Sequence, residues 1–252
     1  MSANSPEATP DSPAVPAPVV VAIDGPSGTG KSSTSKAVAA RLALRYLDTG
    51  AQYRALTWWM LSNDVDVSAP ERIAEAAGRP AIVSGTDPKA PAISADGADA
   101  SGPIRTQEVT AAVSAVSAVP QVRTRITELQ RSIAAEAAAE GVGIVVEGRD
   151  IGSAVLPDAD LKVFLTASPE ARAARRSGEL SGANAAGLAA TQEALARRDR
   201  ADSTRKASPL KRADDAVEID TTELTLEQVV ECVVTLVEQA AARRAGQGAA
   251  VR

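Results

Sequence analysis

Val19-Val20-Val21-Ala22-Ile23-Asp24-Gly25-Pro26-Ser27-Gly28-Thr29-Gly30-Lys31-Ser32-Ser33 is an apolar run that breaks into glycines and ends on a lysine and two serines. Five successive apolar residues, 19–23, predict a strand buried on both faces. The eight residues from Gly25 to Ser32 fit G-x-x-x-x-G-K-[ST], a phosphate-binding loop. Gly25, Gly28 and Gly30 let the backbone turn so that N–H groups converge on phosphate oxygens at the positive end of the next helix. Lys31 is placed to reach the β- and γ-phosphates, and the Ser32 hydroxyl to ligate Mg²⁺. The triphosphate site is therefore expected over Gly25, Pro26, Ser27, Gly28, Thr29, Gly30, Lys31, Ser32 and Ser33. Guanine-nucleotide switches need an [NT]-K-x-D motif, and neither Asn-Lys nor Thr-Lys occurs in the chain.

Strand and helix patterns alternate outward from this loop. A helix is expected over residues 31–44, a short strand at 46–47 and a helix over 51–61. Val122, Ile126, Leu129 and Ile133 repeat at helical spacing behind Pro120, a good first-turn residue. Buried strands are expected at 144–146 and 161–165, and a last strand at 216–219. Ser168-Pro169-Glu170 reads as a helix start, and Thr225 with Gln228 as a capping box. Repeated β-then-α units predict an α/β fold, a parallel sheet with helices on both faces. Residues 79–104, rich in Gly, Pro and Asp, break the rhythm; we read them as a small β insertion with strands at 81–84 and 92–94 and no core of its own. Residues 1–18, rich in Pro, Ser and Ala, are expected to be a disordered tail, and 243–252 a flexible one, leaving one phosphate-loop domain over 19–242.

The 252 residues suffice for one α/β domain with a small insertion. Aromatics are 2%, so the core must be built from Ala, Val, Leu and Ile. A net charge of −5 argues against a nucleic-acid-binding protein. The chain has no histidine, which removes Ser-His and Cys-His nucleophilic chemistry and imidazole zinc sites. The single cysteine, Cys232, cannot form an intrachain disulfide and sits among valines, which points to packing. No apolar run approaches the roughly 20 residues that span a bilayer. A cytoplasmic protein is expected, with no membrane partner and monomer as the default state.

Arginines distinguish the function. Asp48-Thr49-Gly50-Ala51-Gln52-Tyr53-Arg54 follows the second strand, and Glu147-Gly148-Arg149-Asp150 follows the strand at 144–146. Strand C-termini share one edge in a parallel sheet, so Arg54 and Arg149 should lie near the phosphate loop, with Glu147 where a carboxylate would assist Mg²⁺. Arg172, Arg175 and Arg176 share one helix, and Arg197, Arg198, Arg200 and Arg205 form a second cluster, with a hinge-like stretch 177–190 between. Such a short helical lid, about 170–205, would close over a triphosphate and exclude water.

In this order the chain resembles the bacterial cytidylate (CMP/dCMP) kinases, nucleoside monophosphate kinases of the P-loop class. IDGPSGTGKSS, LDTGAQYRAL, SGPIRTQEV, VVEGRDIGSAV and RRDRADSTRKASPLKRADDAVEIDTTELTLEQVV carry the resemblance, which covers most of the chain. It implies ATP and CMP or dCMP as substrates, Mg²⁺ with ATP, and an acceptor-binding region at about 48–125. It implies that Thr49, Arg123, Asp150 and Arg205 face the cytosine, and that Ser114, Arg198 and Asp202 meet the ribose. Tyr53, Arg54 and Arg149 would hold the acceptor phosphate. Lys31, Arg149, Arg172, Arg176 and Arg198 would be catalytic, with Ser32 and Glu147 at the metal. Thr49 departs from an expected serine but keeps the hydroxyl, and Glu147 stands where some members carry Asp. On the residues alone two other readings stay open: a P-loop kinase for UMP, AMP or a metabolite, and a non-enzymatic nucleotide switch.

Overall fold

The computed structural model describes residues 18–179 and 187–250. The expected N-terminal tail and the middle of the expected hinge lie outside the described residues. β1 (Val20–Asp24), β2 (Arg45–Asp48), β6 (Ile144–Glu147), β7 (Leu161–Thr166) and β8 (Val217–Asp220) form one parallel sheet in the order β2-β6-β1-β7-β8. The apolar run behaves as a two-faced strand. Val19, Val21 and Ile23 pack with Val38 and Ala39 of α1 (Lys31–Arg41) and with Val229, Val233 and Val237 of α8 (Leu226–Ala250). Ala22, between them, packs on the opposite face with Ile133, Ala134 and Ala137 of α5 (Pro120–Ala139). Helices on both faces are what a parallel sheet needs, because both sides of its inner strands are then removed from water. The edge strand β8, the one expected at 216–219, is the exception and is largely exposed.

The helix starts follow their sequence signals. Asp48 accepts the Ala51 N–H at 2.9 Å and opens α2 (Thr49–Ser62). Ser168 accepts the Ala171 N–H at 3.1 Å ahead of α6 (Pro169–Glu179). Thr225 and Gln228 exchange both bonds of a capping box, at 2.9 and 3.3 Å, ahead of α8. Three expectations need correction. α1 stops at Arg41 rather than Leu44, because Ala43 is left-handed (φ 52°) and the Leu44 N–H turns back to the Ala39 carbonyl. α8 runs on to Ala250 instead of giving way to a tail near Arg243. Cys232 is exposed, not packed: its neighbours Val230 and Val233 take the buried stripe, and it falls on the solvent side of the same helix.

A second layer lies beyond α2. α2, α3 (Pro70–Ala76), α4 (Gln107–Ala118) and α5 enclose Leu56, Met60, Ile73, Val116, Val122 and Ile126. The insertion is a three-stranded antiparallel sheet of β3 (Ile82–Ser84), β4 (Ile93–Ala95) and β5 (Ala98–Asp99). Its inward residues Ile82, Ile93 and Ala95 join that same core. At about 1.5–3 kcal/mol per fully buried large aliphatic side chain, the shared core is what keeps so short a sheet folded. α6 and α7 (Leu188–Thr204) pair as a helical hairpin across the edge where the strands end.

Two residues at the end of β1 fix that edge. Gly25 has φ 145°, and a Cβ there would overlap the Leu165 carbonyl oxygen of β7. Asp24, 4% exposed, accepts the N–H groups of Ile151 and Gly152 at 2.9 and 2.8 Å, at the start of a single π-helical turn Ile151–Val155. Burial pushes the Asp24 carboxyl up to about 6 from 3.8, against the pull of those two N–H groups.

Gly25→Ala should cost about 2–4 kcal/mol in urea unfolding, from backbone strain plus overpacking. Gly30→Ala, with φ 86° but open space at the Cβ, should cost only about 1–2 kcal/mol; equal losses would refute the steric account. Asp24 also predicts a pH signature. Below its unfolded pKa of 3.8 the group is protonated in both states and contributes no difference. As pH rises through about 6, the unfolded chain loses its proton more readily, so the fold is destabilised by about 3 kcal/mol. The stability of the wild type relative to Asp24→Asn should therefore fall across that window; a rise would show the carboxylate to be stabilising.

Candidate active site

The phosphate loop, the ends of β2 and β6, and the α6–α7 hairpin surround a cleft of about 520 Å³. Ser27, Gly28, Gly30, Lys31, Ser32 and Ser33 form its floor, and Arg54 of α2, Arg149 of the loop after β6, Arg176 of α6 and Arg198 of α7 converge on it. Lys31 is buried, its ammonium donating to the Pro26 carbonyl at 2.6 Å and lying 3.5 Å from the Thr29 hydroxyl. Burial, then the nearby Arg149 guanidinium, hold its pKa well below that of an ordinary lysine. Burial and neighbouring guanidiniums likewise lower Arg198 to about 9 and Arg54 to about 10. Both remain charged at neutral pH. A crowd of cations at low dielectric is relieved by a polyanion, so the electrostatics of the cleft favour phosphate.

The cleft's carboxylates sit at the strand ends. Glu147 is buried; its Oε1 accepts from Ser32 Oγ at 2.7 Å and from the Tyr46 hydroxyl at 2.9 Å, while its Oε2 has no hydrogen-bond partner. Burial, and then Asp48, push the Glu147 carboxyl up to about 7. A hydroxyl, a carboxylate oxygen without a partner and a second carboxylate beside it suit a hard divalent cation, which lowers the cost of ionising Glu147. Among the described residues no cluster of three or more carboxylates or thiols could cage a metal alone, so phosphate oxygens and water would complete the shell.

A second cavity of about 60 Å³ adjoins the first. It is lined by Thr49, Tyr53, Ser114, Arg123, Asp150 and Asp202, with Arg205 at one side, and Arg149 and Arg198 line both chambers. Asp150 is held between two guanidiniums: Arg123 Nη2 donates to its Oδ2, and Arg205 Nη2 to its Oδ1 at 3.1 Å. Arg123 also lies 5.4 Å from the Tyr53 ring centre, close enough for a cation–π contact. Thr49 donates to the Glu147 carbonyl at 2.6 Å, tying the start of α2 to the end of β6. Asp202 pairs with Arg149 at 3.2 Å and reaches Arg205 at 3.7 Å.

The structure therefore brings nearly all the expected residues to two connected chambers, with some redistribution. Tyr53 lines the smaller chamber beside Arg123, not the cleft with Arg54. Arg54 bonds the Ile104 carbonyl and the Thr110 hydroxyl at 2.8 and 2.9 Å, which anchors it to the insertion's end. Arg172 lines neither chamber: its Nη1 bonds the Ser27 carbonyl at 3.1 Å and pairs with Asp199. It braces the phosphate loop from behind, as Pro26 and Thr29 brace it from within. Asp199 was not among the expected residues, yet its Oδ1 also accepts the Ser27 N–H at 3.1 Å. Arg105 and Asp48 line the cleft and were not singled out either; Arg105 had its signal in the SGPIRTQEV stretch.

A sequence model of the family described as Cytidylate kinase matches residues 21–239. A cytidylate kinase of Streptomyces griseus subsp. griseus is 77% identical over 220 residues, covering 87% of this chain and 93% of that protein. A cytidylate kinase of Streptomyces coelicolor is 69% identical, covering 93% and 97%. More distantly, a cytidylate kinase of Corynebacterium glutamicum is 48% identical, covering 89% and 96%. With the loop, the paired chambers and these relatives in agreement, the chain belongs to the cytidylate kinase family.

Proposed function

We propose that the chain transfers the γ-phosphoryl group of ATP to CMP, and to dCMP by the same contacts. The observation that carries this reading is the junction: Arg149 and Arg198 line both the phosphate-loop cleft and the small chamber around Asp150. A triphosphate on Lys31 and an acceptor phosphate on Arg54 and Arg149 would meet there. The attacking oxygen of a nucleoside monophosphate is already anionic, so no strong general base is needed. Lys31, Arg149, Arg176 and Arg198 then act by positioning and by neutralising charge spread over the transferring group. Ser32 and Glu147 would hold Mg²⁺, which would supply charge neutralisation to the triphosphate. The α6–α7 hairpin serves as the lid, keeping water from the γ-phosphate while Arg172 and Asp199 hold its base to the loop.

Base choice follows from Asp150. An ionised carboxylate only accepts, so it matches the exocyclic amine of cytosine and repels the carbonyl oxygen that uracil places there. Arg123 and Arg205 hold Asp150 and can donate to O2 and N3 of the same ring. Ser114 and Asp202 lie on the ribose side of that chamber, and the Thr49 hydroxyl completes the base side.

An ADP-release assay with Mg-ATP should show acceptor-dependent turnover with CMP and dCMP, and kcat/KM at least about 100-fold lower with UMP. A preference for UMP or AMP would overturn the assignment of Asp150. Asp150→Ala should cut kcat/KM for CMP by about 100-fold while leaving the KM for ATP within about threefold. Equal losses for both substrates would remove it from base recognition. Glu147→Gln should lower activity by about 10–100-fold and raise the Mg²⁺ concentration needed for half-maximal rate; an unchanged Mg²⁺ dependence would place the metal elsewhere.

A further inference from the structure

Asp150 occupies the N-cap position of the π-helical turn Ile151–Val155, with φ −147° and ψ 24°, yet it makes no side-chain cap. Its carboxylate is committed to Arg123 and Arg205 instead. The turn's first N–H groups, those of Ile151 and Gly152, are satisfied from the neighbouring strand by the two oxygens of Asp24. A buried N–H without an acceptor is costly, and the residue at the N-cap position, from which a side chain would ordinarily supply one, is Asp150 itself. We infer that Asp24 is a positioning residue for acceptor recognition, capping the Ile151–Val155 turn so that Asp150 stays turned into the base chamber. The inference rests on the acceptor reading given above.

The effect should fall on one substrate. Asp24 directly precedes Gly25, but the start of the phosphate loop is held independently. Asp24 is registered against Phe164 of β7, and Gly25 packs on the Leu165 carbonyl. Ser27 is tied further to Arg172 and Asp199. The loop 148–152 is tied to the end of β1 at its start by the Gly148 N–H on the Ile23 carbonyl at 3.0 Å, while beyond Asp150 its N–H groups reach β1 through Asp24. Burial already favours the neutral form of this side chain, so a neutral isostere is tolerated in the core.

The test is steady-state kinetics of Asp24→Asn, whose single carbonyl oxygen can accept from one N–H while its amide group opposes the other. The KM for CMP should rise about tenfold or more, with the KM for ATP within about twofold. The CMP-over-UMP selectivity should fall about tenfold, a change that a merely loosened fold would not produce. Val146→Ala, a core change in β6 outside this hydrogen-bond set, serves as the stability control and should leave that selectivity in place. Asp24→Ser, which leaves both N–H groups without their acceptor, should show the same split and stands in if the Asn variant does not fold. Unchanged CMP KM in folded variants, or equal rises for CMP and ATP, would overturn the inference alone. Wild-type protein that turns over no CMP would overturn the acceptor reading and this inference with it.

Discussion

The parallel register of β2, β6 and β1 places Asp48 opposite Glu147 and Glu147 opposite Ile23, one residue short of Asp24. Three strands that are far apart in the chain thus end in carboxylates on a single edge. Each carboxylate has a separate task there. Asp48 starts α2, Glu147 meets the Ser32 hydroxyl, and Asp24 caps the turn after β6. The helices and loop that leave this edge carry Lys31, Arg54 and Arg149, so cations and carboxylates line one cleft. Without the shared register these residues would have no common neighbourhood, and the hairpin of α6 and α7 would have nothing to cover.

The site holds a large positive charge by spreading its support. Arg149 is steered by Asp202 and the Ser27 hydroxyl, Arg54 by a carbonyl and a hydroxyl, and Arg172 is neutralised by Asp199. Arg123 and Arg205 share the buried Asp150 carboxylate, and that is where discrimination between bases is needed. A buried carboxylate flanked by two guanidiniums is rigid, because moving any one member leaves a charge without its partner. In the cleft the opposite holds. Arg198 has a buried Nε with no partner, and its pKa is lowered first by burial and then by the neighbouring Arg149 and Arg54, a cost that bound phosphates would relieve.

Two cores divide the labour of support. The sheet core, between α1 and α8 on one face and α5 on the other, fixes the phosphate loop. The core of α2 to α5 and the small antiparallel sheet fixes the wall that carries Tyr53, Ser114 and Arg123. α5 belongs to both, with Ile126 in one and Ile133 in the other, and so transmits the position of the base chamber to the sheet.

Much was legible in the order of residues, because the signals are local. The apolar run, the glycine spacing, the proline and hydroxyl helix starts and the capping box each depend on a few adjacent residues, and each appears as expected. So do the strand ends bearing Arg54 and Arg149, since a parallel sheet sends them to one edge. α3 and α4 escaped: α3 is only seven residues long, and α4, whose buried Val109, Val113 and Val116 do repeat at helical spacing, lies against the irregular insertion. Cys232 is flanked by valines, but the buried stripe of α8 runs through Val229, Val230, Val233 and Val234 and leaves it on the outer face. Arg172 shows the deeper limit: its charge and helix position suit a catalytic role, but its partners are Ser27 and Asp199, each more than 25 residues away. The sequence by itself determined the main strands and most of the helices, the phosphate loop and the family. Only the tertiary structure decided which charges face the cleft and which are paired behind it, because pairing is a matter of distance between side chains, and chain order does not contain it.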